Sequence, residues 1–262
     1  MYKNYRIALV IPAFNEGEKT SQVVENVPRE VIDEIIVVND GSQDETCGAV
    51  RATGRATIIH NESRQGIGFA IRSGLEEVLK KKFDVVVVMA GNGKDNPRQI
   101  PCLLDPIVNE GFDYVQGSRY LKGGEYGDMP MHRFLFTRAY SWAVRLLYGH
   151  HITDGTNGFR TYKLSILSDP KINLYQDWLR EPLEYYLSLK VLLLKLRILD
   201  KLNKQIGQPF PLAFLNKVTT VFYLCMGHAI TAGNELLKYF FSTFGDRVAI
   251  TESRNKRFVI LL

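Results

Sequence analysis

Residues 7–16 read IALVIPAFNE and residues 34–46 read EIIVVNDGSQDET. Each begins as a short apolar run and ends in a cluster of polar and turn-forming residues. Runs rich in Val and Ile, apolar at successive positions, fit strands covered on both faces. Ala56–His60 and Val85–Met89 repeat the pattern, and amphipathic segments near Lys19–Val27, Glu45–Thr53 and Gly68–Lys81 separate the runs. This alternation predicts an α/β fold with a mainly parallel sheet flanked by helices. Ligands of such sheets sit beyond the carboxyl ends of the strands. The polar clusters lie there: Pro12, Asn15 and Glu16 after the first strand, Asn39 and Asp40 after the second, and Ala90 to Asp95 after the fourth.

Further along, a helix is expected over Pro97–Val108, with proline in its first turn where the missing N–H is harmless. A strand is expected over Phe112–Gln116 and a glycine-rich loop over Leu121–Pro130. Helices follow over Phe134–Tyr148 and Leu183–Leu196. Beyond Arg197 the periodicity blurs, so the chain is divided into a domain over 1–195 and a divergent helical tail over 196–262. The formal charge of +5 suits a phosphate-bearing partner. No basic run is interleaved with aromatics, which argues against nucleic acid. Cys47, Cys102 and Cys225 have no metal-ligand spacing, and a reduced, cytoplasmic setting is expected. No stretch reads as a membrane span. Membrane contact, if made, is expected to be peripheral, through Leu236–Phe241 or Val218–Met226.

The residues at the strand ends have chemistry of their own. The Asp40 carboxylate can accept hydrogen bonds from a base imide or a ribose. Gly66 and Gly68 allow backbone to approach a ligand closely. The competing view is that Asn15, Glu16 and Asp44 merely cap helices.

Taken in order, VIPAFNE, VVNDGSQDET and NESRQGIGFAIRSG resemble the family 2 glycosyltransferases, with their P-x-x-N-E, V-D-D-G-S-x-D-x-T and glycine-rich segments. The resemblance implies a GT-A fold binding a nucleotide diphosphate sugar. Its donor half would span 1–120, with Pro12, Ala13, Asn15, Glu16, Asp40, Gly66, Gly68 and Asn92 on the donor side. VQGSRYLKGG, MHRFLFTRAYS and ITDGTNGFRTY resemble the polyprenyl-phosphate sugar synthases of that family, the dolichyl-phosphate mannose synthase branch. That branch implies an acceptor half over 121–195 in which Arg119, Arg133, Thr137 and Arg160 bind the lipid phosphate. Guanidinium groups suit phosphate because they donate two parallel hydrogen bonds. Glu181 and Glu184 are candidate acceptor-side carboxylates.

The pattern breaks in two places. The family's D-x-D metal motif becomes Ala90-Gly91-Asn92, and a following Gln becomes Lys94. Hard cations such as Mg²⁺ or Mn²⁺ favour charged oxygen ligands. Three readings stay open: Lys94 supplies the charge and no metal is needed, Asn92 and Asp95 hold a weak metal, or catalysis is lost. Near residue 195 the family's E-V-P-V strand is also missing. The leading expectation is inverting transfer to a polyprenyl phosphate at the cytoplasmic membrane face, with Lys94, Arg119 and Asp154 as catalytic groups. A transferase for a glycan or small molecule, using Asp154 or Glu184 as base, and a nucleotide-binding scaffold remain as alternatives. A dinucleotide oxidoreductase fits poorly, because no glycine-rich turn follows the first strand.

Overall fold

The computed structural model describes residues 1–127, 129–150 and 152–202, together with two strands at 249–252 and 258–261. Strands β1 (Ile7–Ala13), β2 (Glu34–Asp40), β3 (Thr57–Asn61) and β4 (Val85–Val88) alternate with helices α1 (Glu18–Asn26), α2 (Thr46–Ala52) and α3 (Ile67–Lys80). Then come α4 (Ile100–Glu110), β5 (Tyr114–Ser118), α5 (Met131–Tyr148), β6 (Arg160–Lys163), α6 (Leu183–Leu193) and β7 (Ile198–Leu202). These seven strands form one sheet in the order β3-β2-β1-β4-β6-β5-β7. β6 runs antiparallel to β4 and β5, and the other pairings are parallel.

The sheet is covered on both faces, which explains its near-continuous apolar strands. All seven residues of β1 and all four valines of β4 are buried. Successive side chains of a strand point to opposite faces. Accordingly Ala8 and Val10 pack with Ile71 and Leu75 of α3 and Leu183 and Leu187 of α6. Ile7, Leu9 and Ile11 pack with Val23 and Val24 of α1 and Leu103, Leu104 and Ile107 of α4. The β1 and β2 carboxyl ends thus emerge side by side, in the register Pro12–Val38 and Ala13–Asn39.

Two features depart from the sequence expectations. β6, which was not expected, lies between β4 and β5. Its sequence, RTYK, carries no apolar run; its first three residues are nevertheless buried. Strand β7 closes the sheet beside β5, so the boundary expected near 195 falls inside a compact unit that extends to Lys217. Val218–Leu262 form a second unit. There the described residues are strands, β8 (Ala249–Glu252) and β9 (Phe258–Leu261), paired antiparallel rather than helical. Val218–Met226 and Leu236–Phe241 lie outside the described residues.

Candidate active site

The loops after β1 and β2 are tied to each other. The Ser42 hydroxyl accepts the Asn15 N–H at 3.0 Å, and the Asn15 side-chain oxygen accepts the Gln43 N–H at 2.9 Å. The Thr46 hydroxyl oxygen accepts the N–H groups of Glu16 at 3.0 Å and Gly17 at 2.8 Å. Asn15 holds φ at +50°, a left-handed conformation that Asn tolerates better than most residues. Asn15 and Thr46 therefore build the loop pair, and its edge carries Pro12, Ala13 and Glu16. Glu16 is only partly exposed. Burial raises its carboxyl pKa, while Lys19 and Lys94 oppose that shift.

Asp40 is buried at the end of β2. One carboxylate oxygen accepts the Asn61 side-chain amide and the Gln65 N–H, each at 2.9 Å, and the other accepts the Gly66 N–H at 2.8 Å. An ionised carboxylate has about four acceptor sites, so the second oxygen keeps capacity for a ligand donor. The glycines that follow pack closely against another part of the chain. Gly66 has φ +103°, and a Cβ there would lie 2.7 Å from the Arg180 carbonyl oxygen. A Cβ on Gly68 would fall on the Leu179 carbonyl oxygen. The space these glycines leave on their Cβ side is filled by the chain's own segment 179–181.

Arg119, just beyond β5, forks onto Asp154, with Nε to one carboxylate oxygen at 2.6 Å and Nη2 to the other at 2.7 Å. Nη2 also donates to the Thr156 hydroxyl at 2.8 Å, and the Arg119 N–H donates to Asp154 at 3.1 Å. Burial opposes the charge on Arg119, but Asp154 outweighs it and holds the guanidinium above its ordinary pKa. Arg133 lies in the first turn of α5 and is also buried. Burial, and then repulsion from Arg119, bring its pKa down to about 10. One turn on, the buried Thr137 hydroxyl hydrogen-bonds the Tyr120 hydroxyl and donates to the Phe134 carbonyl at 3.0 Å. Arg160 stands apart from this group. Its donors go to the main-chain carbonyls of Asn157 at 2.6 Å, Gly155 at 3.4 Å and Glu184. That arrangement fastens the 155–160 turn to α6. Gly158 and Gly66 give Glu184 and Glu181 their room.

The loop between β4 and α4 faces both halves. The Asn92 side-chain oxygen accepts the Lys94 N–H at 3.2 Å, across Gly93 at φ +74°. Lys94 and Asp95 are buried. Burial first, and then Arg133, lower the Lys94 ammonium to about 8, while Glu16 and Asp95 pull the other way. Glu16, beyond β1, and Arg133, on α5, thus both act on one lysine. Among the described residues no group of three or more His, Cys, Asp or Glu could hold a metal ion. With Ala90 offering no ligand atom and Asn92 and Asp95 supplying one carboxylate between them, the loop lacks the several charged oxygens that a divalent cation favours and does not fit a metal site.

Sequence reasoning missed Asp200 on β7. Its carboxylate accepts the Thr153 N–H and, at 2.6 Å, the Thr153 hydroxyl, which in turn meets the Ser118 hydroxyl at 2.6 Å. It anchors the turn that carries Asp154. No motif marks it, because the segment around it shows no clear period.

The Glycosyl transferase family 2 profile matches residues 8–169. A UDP-N-acetylglucosamine–dolichyl-phosphate N-acetylglucosaminyltransferase of Methanococcus voltae is 29% identical over 62% of this chain and 70% of its own length. A polyprenol monophosphomannose synthase of Mycolicibacterium smegmatis is 33% identical over 64% of this chain and 65% of its own. Among solved structures, glucosyl-3-phosphoglycerate synthase from Mycobacterium tuberculosis, in complex with Mn²⁺, UDP and phosphoglyceric acid, superposes with a TM-score of 0.66. It is 20% identical and covers 86% of this chain and 79% of its own, a likeness of fold.

Proposed function

Because the chain belongs to glycosyl transferase family 2, we propose that it moves a sugar from a nucleoside diphosphate donor to a polyprenyl phosphate. The observation that carries this reading is the buried guanidinium of Arg133, which burial first and then repulsion from Arg119 bring down to about 10. A buried guanidinium beside a second one is stabilised by a further anion. A lipid phosphate in contact with Arg133 and the Tyr120–Thr137 hydroxyl pair supplies that anion. The curated relatives named above, on dolichyl phosphate and polyprenol, support the same acceptor class.

The donor diphosphate sugar then lies between the β1–β2 loop edge and the Lys94 loop, with Asp40 available to the base or ribose. A phosphate oxygen of the acceptor attacks the anomeric carbon. The bond from that carbon to the donor's diphosphate oxygen breaks, and the nucleoside diphosphate leaves with the electron pair. A single displacement inverts the anomeric centre. The attacking oxygen is already anionic, so no general base is required. The pairing of Asp154 with Arg119 accords with that, and makes it a positioning group.

Membrane contact fits α5. Met131, Leu135, Trp142 and Leu146 recur along one side of this helix and are each more than half exposed. The opposite side buries Arg133, Thr137 and Ser141. Resting that apolar side on a bilayer surface would present the phosphate-binding side to a lipid headgroup. Among the described residues no helix is long and apolar enough to cross a membrane. A nucleotide-sugar donor and free Cys47 and Cys102 thiols accord with the cytoplasmic face.

The test is transfer of sugar from a nucleotide-sugar panel to polyprenyl phosphate, with the product's anomeric configuration read by NMR. An inverted sugar–phosphate lipid supports the reading. Retention, or transfer only to water-soluble acceptors, contradicts it.

A further inference from the structure

The loop from Ala90 to Asn96 occupies the place of the family's D-x-D motif and does not fit a divalent metal. It is nevertheless tightly held. Thr20 donates its hydroxyl to the Gly91 carbonyl at 3.1 Å, and the Gly91 N–H reaches the Pro12 carbonyl at 3.4 Å. A Cβ on Gly91 would stand 2.8 Å from the Thr20 hydroxyl oxygen. The loop is therefore clamped directly beneath the donor edge. Its turn at Asn92–Lys94 buries the lysine to 9% exposure. An ordinary loop lysine keeps its ammonium in water. This one is instead in electrostatic reach of Glu16 on the donor edge and Arg133 on the acceptor helix.

We propose that Lys94 takes over the charge role of the missing metal, binding the donor's diphosphate and stabilising it as it leaves, so that the chain works without a divalent cation. This rests on the transferase reading. As the bond between the anomeric carbon and the diphosphate oxygen breaks, negative charge grows on that oxygen. The Lys94 ammonium donates hydrogen bonds to it and stays protonated throughout. Fixed donors aimed at developing charge in a site closed to water are an effective way to lower such a barrier. Asp95, buried next to Lys94 in the chain, favours its charged form.

Calorimetric titration with UDP and GDP, each in EDTA and in Mn²⁺, tests this on the wild type, Lys94→Met and Lys94→Arg, with thermal unfolding as a check on folding. One nucleoside diphosphate is expected to bind the wild type equally in EDTA and in Mn²⁺. Lys94→Met should bind it about tenfold or more weakly in EDTA, the loss of a charge-assisted hydrogen bond, and Lys94→Arg should recover part of that. Transfer by the wild type should survive EDTA, and Lys94→Met should lower kcat. Binding that requires Mn²⁺, or an unchanged affinity of folded Lys94→Met in EDTA, overturns the inference and leaves the transferase reading standing. Binding in EDTA through Lys94 without any sugar transfer supports the diphosphate site and removes the transferase reading. No nucleoside diphosphate bound under either condition overturns both.

Discussion

The guanidinium of Arg119 grips the carboxylate of Asp154 through two hydrogen bonds, at 2.6 and 2.7 Å, with both side chains almost wholly out of solvent. The pair joins the end of β5 to the 153–157 turn and fixes the ground on which Arg133 stands. Removing one partner leaves a buried charge uncompensated. Asp154→Ala is expected to lower stability by about 3–5 kcal/mol, measured by denaturant unfolding. Asp154→Asn, folded at low temperature, should retain the larger part of kcat, because no proton is taken from the acceptor. A stable Asp154→Asn variant with kcat abolished and KM unchanged would restore the general-base role.

Arg133 is expected to act on the acceptor. Arg133→Ala should raise KM for polyprenyl phosphate while leaving the affinity for nucleoside diphosphate within a few-fold. The loss in kcat/KM should be roughly 10- to 100-fold, the scale of a charge-assisted hydrogen bond. Arg133→Lys should recover only part of it, since an ammonium lacks the planar fork. Equal loss of donor affinity would contradict the division of labour.

Gly68→Ala separates packing from ligand binding. Its methyl would collide with the Leu179 carbonyl at the start of α3. Overpacking of this kind costs roughly 1–3 kcal/mol, so the melting temperature should fall while the remaining folded protein binds nucleotide normally. An unchanged melting temperature with weakened nucleotide binding would return this glycine to the donor site.

Asp200 predicts a pH effect. Burial raises its carboxyl from 3.8 to about 6, against the hydrogen bonds from Thr153, which lower it. The folded state therefore holds a proton that the unfolded state has released between these two values. Stability contributed by neutral Asp200 is present below about pH 4 and is lost as pH rises toward 6. Asp200→Asn should flatten that part of the stability curve, measured by thermal unfolding from pH 4 to 7. A wild-type curve parallel to the variant's would contradict the shift.

The amino-terminal half of the fold was legible because its strands are covered on both faces and therefore read as plain apolar runs between amphipathic helices. β6 was not legible, since Arg160 and Thr161 are polar and the strand is defined by its neighbours β4 and β5. β7, reading ILDKL, does not alternate strictly and was hidden by its short length and its place at the sheet edge. At the site, the sequence singled out Lys94, Arg119, Arg133, Thr137 and Asp154, and the structure brings these residues and Glu16 around one region. What it could not convey is where donors point. Arg160 turns to main-chain carbonyls, that of Glu184 among them, Arg119 turns to Asp154, and segment 179–181 packs against Gly68, and these contacts join residues far apart in the chain.

Sugar transfer to a polyprenyl phosphate is the reaction proposed for this protein. The most direct measurement supplies labelled nucleotide sugars one at a time, with polyprenyl phosphate in detergent, and counts label extracted into organic solvent. One donor should give a sugar–phosphate lipid, with the signal strongly reduced in Arg133→Ala. Specific nucleoside diphosphate binding with no lipid-linked label from any donor would contradict the account and leave a nucleotide-binding protein without transferase activity.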